Sequence, residues 1–171
     1  MLKSILGISI TCTFLLSCSQ HRGTADIKNV LLKQLHNTHD QQEWFAPTKN
    51  ALADLSAEQS HWKDTTTNHS IAELVAHITF WYEMNLKSFK GQEMSEFQAN
   101  NDSTFTYHIS TDWSQSIKKL DSLQTQWEIE IHQADVQKLT DWSDEILNMA
   151  SHTAYHTGQI VFIRKQYNRW K

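Results

Sequence analysis

The chain has 171 residues but only four glycines and one proline, Pro47. β-rich folds turn often and draw on both residue types to do so. A chain this poor in them is confined to long helices joined by a few loops. Its length suggests one domain. A hydrophobic fraction of 39%, with seven Trp and seven Phe, supplies a core, and 20% charged residues at net charge −4 argue against wholesale disorder. The sequence pI of 6.2 lacks the basic excess that a nucleic-acid binder carries.

The first segment reads as an address. Lys3 precedes an uncharged run, Ser4 to Leu16, too short for the roughly 20 residues a bilayer span requires. The run fits the apolar part of an export signal. Leu15-Leu16-Ser17-Cys18 then resembles a bacterial lipobox, in which cleavage precedes a diacylglyceryl-bearing Cys. The expected layout is a signal over 1–17, a lipidated Cys18 with a polar linker over 18–25, and a helical domain over 26–171. That layout places the domain in the cell envelope, outside the cytoplasm, held to a bacterial membrane by lipid. It also leaves no cysteine for a disulfide, a thiolate ligand or a nucleophile.

Four long amphipathic helices follow, with no strand signal. Ile27, Val30, Leu31 and Leu35 recur at helical spacing after a cap at Thr24 or Asp26, and His39 continues their buried stripe toward Gln42. Pro47 marks a connector holding a short extra helix over Thr48 to Leu55. Ser70 and Glu73 form a capping-box pattern ahead of Ile71, Leu74, Val75, Ile78, Tyr82 and Phe89. Gly91 ends that helix. Residues 92–110 form a polar loop, long for a compact domain, which reads as a functional or a mobile segment, with covering of the pocket as one role open to it. Asp112 or Thr111 caps a third helix carrying Trp113, Ile117, Leu120, Leu123, Trp127 and Ile131. A fourth starts near Ser143. The expected fold is all-α, a four-helix bundle of the up-and-down type with that short helix between the first two long ones.

The fourth helix carries the chemistry. Its apolar stripe runs Met149, His152, His156, Ile160, Ile163, Tyr167. Residues i and i+4 share a helix face, so the two imidazoles reach one metal ion or sit as hydrogen-bonded histidines at a bundle end. Ten histidines make one such pair unsurprising by chance. A third ligand from another helix would decide the matter, and His77, bordering the stripe of the second helix, is the best placed. Trp81 and Met84, at i+4 and i+7 from His77, read as pocket wall. His39 and Gln159 are weaker candidates for hydrogen bonding behind the ligands or for acid–base work. Gly158 costs a helix interior about 1 kcal/mol against Ala, and close packing beside the metal is its expected compensation. His21, His36, His61, His69, His108 and His132 read as surface or loop residues.

The run from His152 to Ile160, continuing to Arg164-Lys165, resembles the closing motif of the DinB-like (DinB/YfiT) superfamily. Ser70 to Ile78, followed by Trp81, is similar to that family's other signature, and Trp44, Pro47 and Leu55 to Gln59 resemble the connector of one branch. The resemblance extends from about Ile27 to Tyr167. It implies a four-helix bundle with a divalent metal held by His77, His152 and His156 and open positions for water or substrate. The metal is left open among Zn, Ni, Fe and Mn.

Three expectations for function follow. The first is a metal-dependent enzyme acting on an unknown small molecule, with hydrolysis by metal-activated water ranked first. Thiol-dependent transfer, an activity of relatives, ranks lower because export removes the domain from the cytoplasmic thiol pool. The alternative is a non-catalytic, membrane-tethered metal-binding or interaction module. A homodimer is left open.

Overall fold

The computed structural model of the protein describes residues 19–63, 69–92, 100–106 and 112–170, with side chains from residue 27 onward. The expected signal over 1–17 and Cys18 lie outside the described residues, as do 93–99 and 107–111. Among the described residues six helices run in the order α1 (Ser19–His39), α2 (Thr48–Leu52), α3 (Ile71–Phe89), α4 (Trp113–Gln133), α5 (Val136–Asp141) and α6 (Ser143–Gln166). Two 3₁₀ turns, Gln59–His61 and Asn101–Thr106, lie in the connectors. The fold is the expected all-α bundle, with α2 as the short extra helix.

Local chemistry accounts for the ends of these helices. Ser70 Oγ accepts the Glu73 backbone N–H and the Glu73 carboxylate accepts that of Ser70, so the capping box is complete. At the other end of α3, Gly91 adopts φ +70° and the Gln92 N–H bonds back to the Lys87 carbonyl at 3.0 Å. Glycine enters that left-handed conformation without the Cβ clash. Asp112 caps α4 by accepting the Ser114 N–H. Three boundaries differ from expectation, the first being α2, which stops at Leu52 rather than Leu55. α1 starts at Ser19, inside the stretch expected as linker, and stops at His39 rather than Gln42. Residues 19–25 contain no proline, so nothing in the backbone interrupts the helix there. α5 was not expected, since six residues are too few to show a helical period.

Each of α1 and α3 packs against both α4 and α6, while α1 and α3 make little direct contact. The order around the bundle is therefore α1, α4, α3, α6, and consecutive long helices α1 and α3 stand on a diagonal. Leu31, Ile78, Leu120, Ile131, Ile146 and Ile160 fill the centre. Buried indoles satisfy their N–H groups on main-chain carbonyls, Trp127 on Tyr82 at 3.1 Å and Trp113 on Leu55 at 2.9 Å. Arg164 is buried and donates to the carbonyls of Ala51 (2.7 Å) and Ala53 (3.0 Å), closing the C-terminus of α2.

The apolar face of α6 is centred on Ile146, Met149, Thr153, His156, Ile160 and Ile163. His152 is therefore at the margin of that face, half-buried, and Tyr167 is exposed. Gly158 is exposed, and a Cβ built on it meets nothing within 4 Å. Close packing does not account for it, and nothing in the structure supplies another reason.

Candidate metal centre

His77 lies two turns into α3 and His152 and His156 lie one turn apart on α6, two helices that pack directly together. Their rings converge through one type of atom. His77 Nε2 lies 3.0 Å from His152 Nε2, and His156 Nε2 lies 2.9 Å from the same atom. His77 and His156 are buried, while His152 is open on one side.

The outer nitrogens are already committed. His156 Nδ1 is 2.7 Å from Gln159 Oε1, an atom that only accepts, so Nδ1 carries the proton. His77 Nδ1 bonds to Thr104 Oγ1, and that hydroxyl donates onward to the Asn101 carbonyl at 2.6 Å. Thr104 therefore accepts from His77. Both rings are held with Nε2 as a lone pair, directed at His152. The Nε2 of His152 owns at most one proton and faces two acceptors. One shared cation resolves that mismatch where one proton does not. Two nitrogens on a cation at about 2.1 Å stand roughly 3.0–3.4 Å apart, from right-angled to tetrahedral geometry. The observed separations of 2.9 and 3.0 Å are close to the right-angled end. The residues present fit a divalent metal, and these three form a donor group with the required spacing.

Electrostatics agrees with the donor role. Burial pushes His77 down to about 3, helped by the neighbouring imidazoles of His156, His152 and His69. Burial, with His156, pushes His152 down to about 4. His156 is lowered as well, because burial outweighs its bond to Gln159. All three are neutral near pH 7, the form in which imidazole binds metal.

The 92–110 connector contributes directly. Its 3₁₀ turn carries Thr104 behind His77 and lays the Phe105 ring flat on the His77 ring, with centroids 4.0 Å apart. His69 stacks on Phe105 at 3.6 Å. A cleft of about 330 Å³ opens at His152, lined by Trp81, Asn85, Asn101, Glu145, Asn148 and Met149. Trp81 lines that cleft. Met84 is half-buried and is absent from that lining, because the cleft faces α6 and Met149 supplies the thioether.

Gln159 thus holds the His156 ring. His39 does not: it is buried between α1 and α4, with Nδ1 2.7 Å from Glu128 Oε1 and Nε2 3.0 Å from Asp121 Oδ1. Burial works against its protonated form, yet the two carboxylates prevail and its pKa is raised. Of the histidines expected at the surface or in loops, His36 is half-buried on α1, and His69 lies half-buried in the connector before α3. Sequence reasoning missed Thr104, Phe105, Glu145 and Asn148. Glu145 and Asn148 share a helix face with His152, at i−7 and i−4, a signal that the sequence did contain. Thr104 belongs to no periodic element and left none.

No curated protein and no solved structure matches this chain. The sequence pattern of the DinB superfamily matches residues 41–160, well over half of the chain and spanning all three histidines, and the chain belongs to that superfamily.

Proposed function

We propose that the protein is a divalent-metal-dependent enzyme whose metal is held by His77, His152 and His156, and that it hydrolyses a small-molecule substrate bound in the cleft beside His152. The carrying observation is the convergence of three Nε2 atoms, with the outer nitrogens of His77 and His156 already occupied. Three neutral donors leave a dication its whole charge, which supplies Lewis acidity to activate water or polarise a carbonyl. The chain's own residues do the rest. Gln159 and Thr104 orient the donor rings. Glu145 is the one carboxylate among the described residues lining the cleft, and it is the group there able to accept a proton. Asn85, Asn101 and Asn148 offer amide donors and acceptors to a polar substrate, with Trp81 as an apolar wall.

The test is metal content of the purified full-length chain, wild type against His152→Ala, after reloading with Zn, Ni, Mn and Fe. The expected result is one equivalent more in the wild type than in the variant, with a loss of at least a hundredfold in affinity at the three-His centre. No stoichiometric metal in the wild type sinks the reading. Screens of hydrolase and thiol-transfer substrates then follow, with Glu145→Gln expected to lower turnover while leaving metal content intact. Metal without activity in either screen would favour a non-catalytic module.

We also propose that the domain is carried on the outer side of a bacterial membrane by lipid on Cys18. The support is the lipobox-like Leu15 to Cys18 behind an apolar run. Among the described residues no helix is long and apolar enough to cross a membrane. Labelled palmitate should enter the wild-type chain and not Cys18→Ser; equal labelling of both would overturn the assignment.

A further inference from the structure

A second set of donor atoms meets between α1 and α4. Asp40, just past the end of α1, stands one turn from His36, and Glu128 comes from α4. His36 Nδ1 lies 3.2 Å from Asp40 Oδ1 and 3.3 Å from Glu128 Oε1, and the three atoms fall within 4.8 Å of one another. The side chains are 31%, 34% and 14% exposed, so the group is sheltered without being sealed.

A lone pair on His36 Nδ1 would face two anions. A proton there is one donor for two acceptors, and both separations are long beside the 2.7 Å from His39 Nδ1 to Glu128 Oε1. The bordering lysines are engaged elsewhere: Lys33 with Glu43, Lys49 with Asp121, and Lys28 with the His132 carbonyl. A dication among the three atoms satisfies all of them together. Ligands about 2.0–2.1 Å from a tetrahedral ion stand roughly 3.3–3.4 Å apart, close to the two separations seen. A buried imidazole also stands behind one ligand. His39, 4% exposed, bonds to the Glu128 oxygen from the interior and to Asp121 on its far side, and so fixes that carboxylate in place. On the outer side, a cleft of about 670 Å³ lined by His36, Glu128 and His132 gives an entry path, and His132 lies one turn from Glu128.

We propose that His36, Asp40 and Glu128 form a second divalent-cation site, for a transition-metal ion such as Zn²⁺, that ties α1 to α4. One imidazole with two carboxylates suits such an ion better than Ca²⁺ or Mg²⁺, which favour oxygen alone. The two carboxylates cancel the charge of the ion, so this site holds helices together rather than activating a substrate.

The experiment titrates Zn²⁺ into chelator-stripped full-length protein carrying His152→Ala, which disables the three-His centre. One equivalent should still bind, with a rise in melting temperature. Adding His36→Gln or Asp40→Asn should weaken that binding at least tenfold and remove the rise. Asp40 is an exposed residue outside the core, so its variant keeps the test valid if Glu128→Gln fails to fold. Absence of Zn²⁺ binding to His152→Ala, or binding that survives both His36→Gln and Asp40→Asn, would overturn the proposal.

Discussion

The protein contains two buried histidine clusters that respond to burial in opposite ways. At the α3–α6 contact, His77, His152 and His156 are surrounded by one another and by Phe105 and Trp81, and their protonated forms are suppressed. Between α1 and α4, His39 is as buried as His77, yet its pKa is raised because Glu128 and Asp121 meet its two nitrogens. Desolvation acts alike on both; the neighbours decide the outcome. One cluster brings lone pairs together. Around His39 the fold itself supplies the counter-charges. Histidine burial in itself therefore says little about function, and the character of the facing atoms says a great deal.

The same substitution should separate the two clusters by sign. His39→Leu removes the partner of two carboxylates and is expected to cost about 2–3 kcal/mol in urea unfolding. His152→Leu, measured with chelator present, should be neutral or stabilising by up to about 1 kcal/mol, since it replaces a half-buried polar group at the margin of an apolar face. Equal destabilisation by both would break the contrast. Gln159→Leu sharpens it next. Losing the acceptor behind His156 should weaken cation affinity roughly ten- to a hundredfold without changing metal-free stability, as read by competition with a chelator. Unchanged affinity would show that Gln159 is incidental.

Smaller effects set the baseline outside both clusters. Gly158→Ala, on the open back of the helix that carries two of the donors, should stabilise by about 0.5–1 kcal/mol with metal affinity unchanged. A loss of stability would mean that the open face is used. Glu73 supplies the pH control. Burial works against its charged form, but the Ser70 N–H and Lys63 outweigh that and hold its carboxyl below the usual 4.5. Its stabilisation is complete above that value and is lost as pH falls through the folded pKa. Glu73→Gln should flatten the acid limb by about half a kcal/mol; an unaltered acid limb would remove Glu73 from the account.

Periodicity made the bundle legible because each long helix had to bury one face, and the faces could be read from Leu, Ile and Trp spacing. It could not reveal that α1 and α3 stand on a diagonal, since an apolar stripe records that a helix has neighbours and not which ones. The three donors were legible because two share a helix turn and the third borders a stripe. The groups behind them were legible in only one case. Gln159 sits on the same helix as its partner, whereas Thr104 reaches His77 through a connector whose path has no period. Gly158 and Met84 were misplaced for a related reason: helical phase gives an angle, and the nearest neighbour at that angle is a tertiary fact.

The bond behind His77 ends, through Thr104, on the main-chain carbonyl of Asn101. No exchange of side chain at Asn101 removes a carbonyl. The proton position on His77 is thus written partly into the trace of the 92–110 connector, and a serine in place of Thr104 would still read it. An inserted or deleted residue between Asn101 and Thr104 would instead break that step of three residues. The short turn over Asn101–Thr104 is then free to change side chain at Asn101 and constrained in length, the reverse of what its polar, loop-like sequence suggests.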